Sequence, residues 1–181
     1  MRLLEVHRIC RWPGRCWLVG VLGASAAPPA LLAEAPPNWS VERGTDPYSE
    51  QTACLLVSRR LQMPDGYGTA NVRLVFGPSA LVITTDSNID ASYPDQGLKV
   101  DENLSMPPDS PFPLKRQNVL FARAQAEVIQ QFRRGRSADL ALGFWPTWPV
   151  TETQHLSIDL TGFSSAHDSY RACRGETAVA Q

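Results

Sequence analysis

Asn71-Val-Arg-Leu-Val-Phe-Gly-Pro-Ser-Ala-Leu-Val-Ile-Thr-Thr85 is the stretch whose reading decides the fold. Val72, Leu74 and Phe76 recur with a period of two, Gly77-Pro78 breaks the run, and Leu81 and Ile83 resume it. Successive side chains of a strand point to opposite faces, so residues 70–85 predict a β-hairpin with one apolar face.

Working outward, the same alternation recurs in short runs. Residues 38–43 carry Trp39 and Val41, and residues 52–61 form a strand around Cys54, Leu56 and Ser58. Met63-Pro-Asp-Gly-Tyr-Gly68 is a turn cluster between that strand and the hairpin. Downstream, residues 97–101 make a short strand, while residues 86–96 and 103–113 are polar, proline-containing loops. The period then changes. Phe121, Ala124, Val128 and Phe132 recur every three or four residues, which predicts a helix over 121–134 with Gly135 as its stop. Strand alternation returns at 138–144 and 156–160. A last helix carries Phe163, Ala166, Tyr170 and Cys173 on one stripe, with Ser164 or Ser165 as its cap. Six or seven strands with two late helices predict a mainly β (α+β) fold: a small β-sandwich or partly open barrel with the helices packed on it.

The chain opens with Arg2, His7, Arg8, Arg11 and Arg15 against one acid, Glu5. An apolar run from Cys16 to Gly23 follows, and then Ala24-Ser-Ala-Ala27. A basic lead, a short apolar run and a small-x-small exit are the parts of a secretory signal. Cleavage after Ala26 is the first choice and after Ala33 the second; the competing reading is an amphipathic or buried N-terminal helix. The expected division is a signal at 1–26, a proline-rich lead-in at 27–37, one β-rich domain at 38–174 and a tail at 175–181. The domain is therefore expected in the periplasm or outside the cell, with no membrane span after cleavage.

Cleavage removes four arginines and one glutamate, leaving thirteen basic against seventeen acidic groups and a net charge of about −4. That sign disfavours nucleic acid and anionic membranes as main partners. It also removes Cys10 and Cys16, leaving Cys54 and Cys173. Two cysteines in an exported chain predict a disulfide; two separate buried thiols are the rival reading.

No catalytic constellation stands out. Asp86-Ser-Asn88-Ile-Asp90 resembles the opening of a calcium loop, but Ala91 and Gly97 occupy the positions of its glycine and bidentate glutamate. A solvated turn explains the same residues, and no metal or other cofactor is assigned. His155 and Asp159 share a strand face, and His167 and Asp168 stand beside Ser164 and Ser165. Neither set has the spacing of a nucleophile and its base. Phe144-Trp-Pro-Thr-Trp-Pro149 is the most unusual string. Trp145 and Trp148 either form an aromatic platform for sugar, peptide or lipid, or cap one end of the core. Arg133, Arg134 and Arg136, joined by Lys115 and Arg116, form a candidate basic patch whose bland reading is a solvated helix end.

Several segments form an ordered set: Trp39-Ser-Val, Thr52-Ala-Cys-Leu-Leu, Gly97-Leu-Lys-Val-Asp101 and Val128-Ile-Gln-Gln-Phe-Arg-Arg-Gly135. Ala138-Asp-Leu-Ala-Leu142 and Leu160-Thr-Gly-Phe-Ser-Ser-Ala166, ahead of Cys173, complete it. Their order resembles the bacterial invasion-associated locus B family. The chain lacks the mid-domain cysteines common in such proteins. The resemblance implies a small periplasmic or secreted β-rich protein without known catalysis, linked in some bacteria to host-cell entry. The functional expectation is a non-enzymatic exported domain that binds a protein or envelope component. The alternative is an envelope hydrolase using His155 or His167.

Overall fold

The structure, a computed structural model, describes residues 37–109, 115–146 and 152–175. The expected signal at 1–26, most of the expected lead-in, Trp148 and the residues beyond 175 lie outside the described residues. In chain order the elements begin with β1 (Trp39–Thr45), β2 (Thr52–Ser58), β3 (Leu61–Pro64), β4 (Thr69–Phe76) and β5 (Leu81–Thr85). Next come β6 (Gly97–Val100), β7 (Asn118–Phe121), α1 (Gln125–Arg134), β8 (Ser137–Leu142), β9 (Gln154–Asp159) and α2 (Phe163–Cys173).

The mainly β class and the two helices are as expected. The strands form two antiparallel sheets that do not close into a barrel. The larger runs β1-β2-β4-β5-β7 with β3 also on β4, and the smaller runs β6-β8-β9. The deciding hairpin is β4–β5, paired from Val72↔Thr85 to Phe76↔Leu81. Val72, Leu74, Phe76, Leu81 and Ile83 are wholly buried in the core between the sheets and helices. Each such side chain contributes about 1.5–3 kcal/mol by leaving water.

Several expectations need correction. The described strands number nine, not six or seven. Residues 61–64 form a strand of their own, because the chain bends after β2. Its two halves then pair with successive parts of β4, Leu56↔Phe76 on one side and Leu61↔Val72 on the other. The turn shrinks to residues 65–68, where the Asp65 carboxylate accepts from the Tyr67 and Gly68 N–H groups at 3.0 and 2.7 Å. Finally, Phe121 belongs to β7 and pairs with Leu81 rather than joining the helix stripe. The break falls at Ala122 and Arg123, whose N–H groups both donate to the carboxylate of Asp109. Helix α1 then buries Val128 and Phe132, with Arg133 and Arg134 in its last turn, where positive charge favours the helix dipole.

Helix α2 buries Phe163, His167 and Tyr170. Its cap is Gly162 at φ 86°, not a serine. The left-handed conformation there suits glycine, and Ser164 instead donates its hydroxyl to the Arg133 carbonyl at 3.0 Å. Cys54 and Cys173 are joined in a disulfide, Cα atoms 6.1 Å apart, tying the last turn of α2 to β2 across 119 residues.

The two helices meet the first strand in one aromatic knot. Trp39, Phe76, Phe132 and Phe163 lie in mutual contact, with ring centroids 5.0–6.2 Å apart. The Trp39 indole N–H donates to the Asp159 carbonyl at 3.2 Å, so β1 is also tied to the end of the smaller sheet.

Candidate binding site

Three distant segments converge beside the smaller sheet. Ile89 forms an isolated bridge with Phe144. Its N–H donates to the Arg116 carbonyl at 2.7 Å, the Asp90 N–H to the Gly143 carbonyl at 2.9 Å, and the Trp145 N–H to the Asn88 carbonyl at 2.8 Å. These backbone bonds fix a cavity of about 380 Å³ lined by Asn88, Ile89, Asp90, Ala91, Arg116 and Trp145. Trp145 keeps 59% of its surface exposed. The core-capping reading is therefore wrong for Trp145, because its backbone is held by the Asn88 carbonyl while its ring is left to solvent.

Gln96 holds this junction from behind. It is 5% exposed. Its amide N–H₂ donates to the Asp90 carbonyl at 2.7 Å and the Tyr93 carbonyl at 3.3 Å, and its Oε1 accepts from the Gly143 N–H at 3.1 Å. Gly143 must be glycine, since a Cβ there would run into the Tyr93 ring. The result is a preorganised hollow combining an aromatic face, a guanidinium, a carboxylate and a carboxamide. Such a set suits a ligand with an apolar ring face and hydrogen-bonding edges.

The suspected calcium opening resolves into separate structural duties. The Asp86 carboxylate accepts from the Asn71 backbone at 2.7 Å and side chain at 2.6 Å, and these bonds hold its pKa below the usual range. Asp90 Oδ1 accepts from the Ser92 N–H at 2.9 Å.

The five basic residues meet different partners. Arg133 donates through Nη1 to His167 Nδ1 at 2.8 Å and to Asp168 at 2.7 Å, tying α1 to α2. Arg134 lies along a hollow with Asp101 and Glu127. The Arg136 N–H donates to Asp101 at 3.1 Å. Lys115 pairs with Glu50 at 3.5 Å, and Arg116 belongs to the Trp145 cavity.

The two histidines differ. His167 is 8% exposed and stacks on Phe163 with centroids 6.0 Å apart, and its Nδ1 accepts from Arg133. That arrangement is structural. His155 Nδ1 lies 2.7 Å from the Asp139 carboxylate on the open face of the smaller sheet. A carboxylate can only accept, so the ring donates from Nδ1 and turns Nε2 away. The side chains are 60% and 44% exposed, which leaves the pair in water rather than in a cleft.

Sequence reasoning singled out Trp145 but not its company. From sequence Asn88 and Asp90 belong to a solvated turn with a partial likeness to a calcium-loop opening, and Arg116 to a candidate basic patch; no local signal joins positions 88–91, 116 and 145. No protein-family model, curated protein or solved structure matches this chain.

Proposed function

We propose that the chain is a non-enzymatic exported domain that binds a saccharide component of the cell envelope at the Trp145 cavity. One observation carries this reading: a tryptophan left 59% exposed at a cavity fixed by three backbone hydrogen bonds and bordered by Asn88, Asp90 and Arg116. The indole stacks on a sugar ring face. Asp90 accepts from hydroxyls, Asn88 accepts from or donates to them, and Arg116 donates to a hydroxyl or an anionic substituent. The N-terminal signal pattern, the Cys54–Cys173 disulfide and the resemblance to the invasion-associated locus B family support the exported setting. The experiment is calorimetric titration with soluble peptidoglycan fragments and lipopolysaccharide core oligosaccharide. Binding that weakens at least tenfold in Trp145→Ala and Arg116→Met supports the proposal. No binding at millimolar sugar, or unchanged binding in both variants, overturns it.

The hydrolase alternative rests on the 2.7 Å His155–Asp139 pair. Ester, peptide or glycan hydrolysis abolished by His155→Ala would put that reading first.

A further inference from the structure

β1 is an edge strand of the larger sheet, paired with β2 on one side. The ladder is extended by the Arg59 N–H to the Asn38 carbonyl at 2.7 Å and by the Asp46 N–H to the Gln51 carbonyl at 2.8 Å. Hydrogen-bonded pairs alternate along an antiparallel ladder. Residues 38, 40, 42, 44 and 46 therefore turn their backbone groups toward β2, and Trp39, Val41, Arg43 and Thr45 turn theirs outward. Among the described residues no hydrogen bond reaches the outward backbone groups of Val41 or Arg43. This edge is one wall of a groove of about 630 Å³ whose other wall is the first two turns of α2. The helix presents Gly162, Ser165, Ala166 and Ser169 to it, so no large side chain fills the space.

We propose that this groove takes an extended peptide segment of a partner protein, added to the sheet as a strand beside β1. Outward N–H and C=O groups recurring every second residue, about 6.8 Å apart, match the backbone of another strand and not of a helix. A strand sits about 4.8 Å from its neighbour, and the small α2 residues leave it that room. Charge narrows the occupant further. The groove lining carries no ionisable side chain, so the residues beside Trp39–Val41 are neutral and small. Next along the edge stand Glu42 and Arg43. Glu42 is paired with Arg73 at 2.9 Å, whereas among the described residues Arg43 has no ion pair, so a carboxylate of the peptide belongs there. This site is separate from the Trp145 cavity and does not depend on the saccharide proposal.

The probe is a fluorescein-labelled pool of acetylated octapeptides of alternating Val, Ala and Thr ending in Glu, added to the full chain and read by fluorescence polarisation and backbone amide shifts. Val41→Pro removes one outward N–H without breaking the β1–β2 ladder, and Ser165→Trp fills the groove from an exposed helix position. Saturable binding that moves the amides of residues 39–43 and weakens at least tenfold in both variants supports the proposal. N-methylating the peptide on one edge alone should abolish binding, and methylating the other should not. No binding at millimolar peptide, or binding insensitive to Ser165→Trp, overturns it. A concentration-dependent dimer abolished by Ser165→Trp would make the occupant a second copy and would also overturn it. So would strong exchange protection of the Val41 and Arg43 amides in the unliganded monomer, which would assign the groove to the protein's own chain.

Discussion

Trp39 and Phe163 stand edge to face, ring centroids 5.0 Å apart with planes at 86°. One opens β1 and the other opens α2, so this contact joins the beginning of the domain to its end. Phe76 and Phe132 complete the knot. Both sheet and helices lean on these four rings, and truncating Phe163, which is wholly buried, leaves a cavity shared by all of them. Phe163→Ala should cost about 3–5 kcal/mol in urea unfolding, a large share of the roughly 5–15 kcal/mol that holds a domain. A loss below about 1 kcal/mol would show that the knot is not central.

The disulfide closes a loop of 119 residues. Cys54→Ser/Cys173→Ser should lower stability by about 2–5 kcal/mol, chiefly because the unfolded chain regains freedom. Dithiothreitol should lower the Tm of the parent protein and leave that of the double variant unchanged.

Asp101 sits at φ 45° between β6 and the α1–β8 junction. Its carboxylate accepts from the backbone N–H groups of Ser137 and Arg136 at 3.1 Å each. Those bonds, Ser137 first and Arg136 second, hold its pKa below the usual carboxylate range. A depressed folded-state pKa gives stability that is present above the unfolded value near 4 and is lost as pH falls through the folded one. Asp101→Asn should therefore be less stable than the parent at pH 7, and the difference should shrink below about pH 4. Urea midpoints across pH 2–7 test this; a gap independent of pH would contradict it.

Arg133 is the hydrogen-bonding partner that most lowers the Asp168 pKa. In Arg133→Met the Asp168 carboxyl should titrate closer to its ordinary value, and the His167 ring signals should shift at constant pH. Carboxyl NMR titration reads the first change directly. An Asp168 titration unchanged by the substitution would remove the link between α1 and α2.

Gln96 satisfies two carbonyls and one N–H around the Trp145 cavity. Gln96→Leu should cost about 1–3 kcal/mol, since it strands those groups in a buried place. It should also broaden the Trp145 indole signal and weaken sugar binding. A variant as stable as the parent would show that water replaces the amide without loss.

The parts of this fold that could be read from sequence are those fixed by local periodicity. Residues 71–85 alternate cleanly because one face of β4 and β5 is buried, and the Phe163–Tyr170 stripe survives in α2 for the same reason. The Cys54–Cys173 bond followed from there being two cysteines in the expected mature domain. β7 escaped because four apolar-rich residues beside a helix can be absorbed into its period, and what separates them is a contact with Asp109, thirteen residues upstream of Ala122. The cap of α2 was misplaced because serine capping competes with the left-handed Gly162, and Ser164 has a better acceptor on α1. The Trp145 cavity was half legible. An exposed tryptophan announces itself by its proline neighbours, but its partners arrive through backbone bonds that carry no sequence signature.

The most direct test is the intact native mass of the protein from the envelope fraction of the producing cells, measured before and after reduction. The account predicts a chain beginning at Ala27, a gain of about 2 Da on reduction for the Cys54–Cys173 bond, and a saccharide adduct lost in Trp145→Ala. A full-length, fully reduced chain recovered from the cytosol would contradict it.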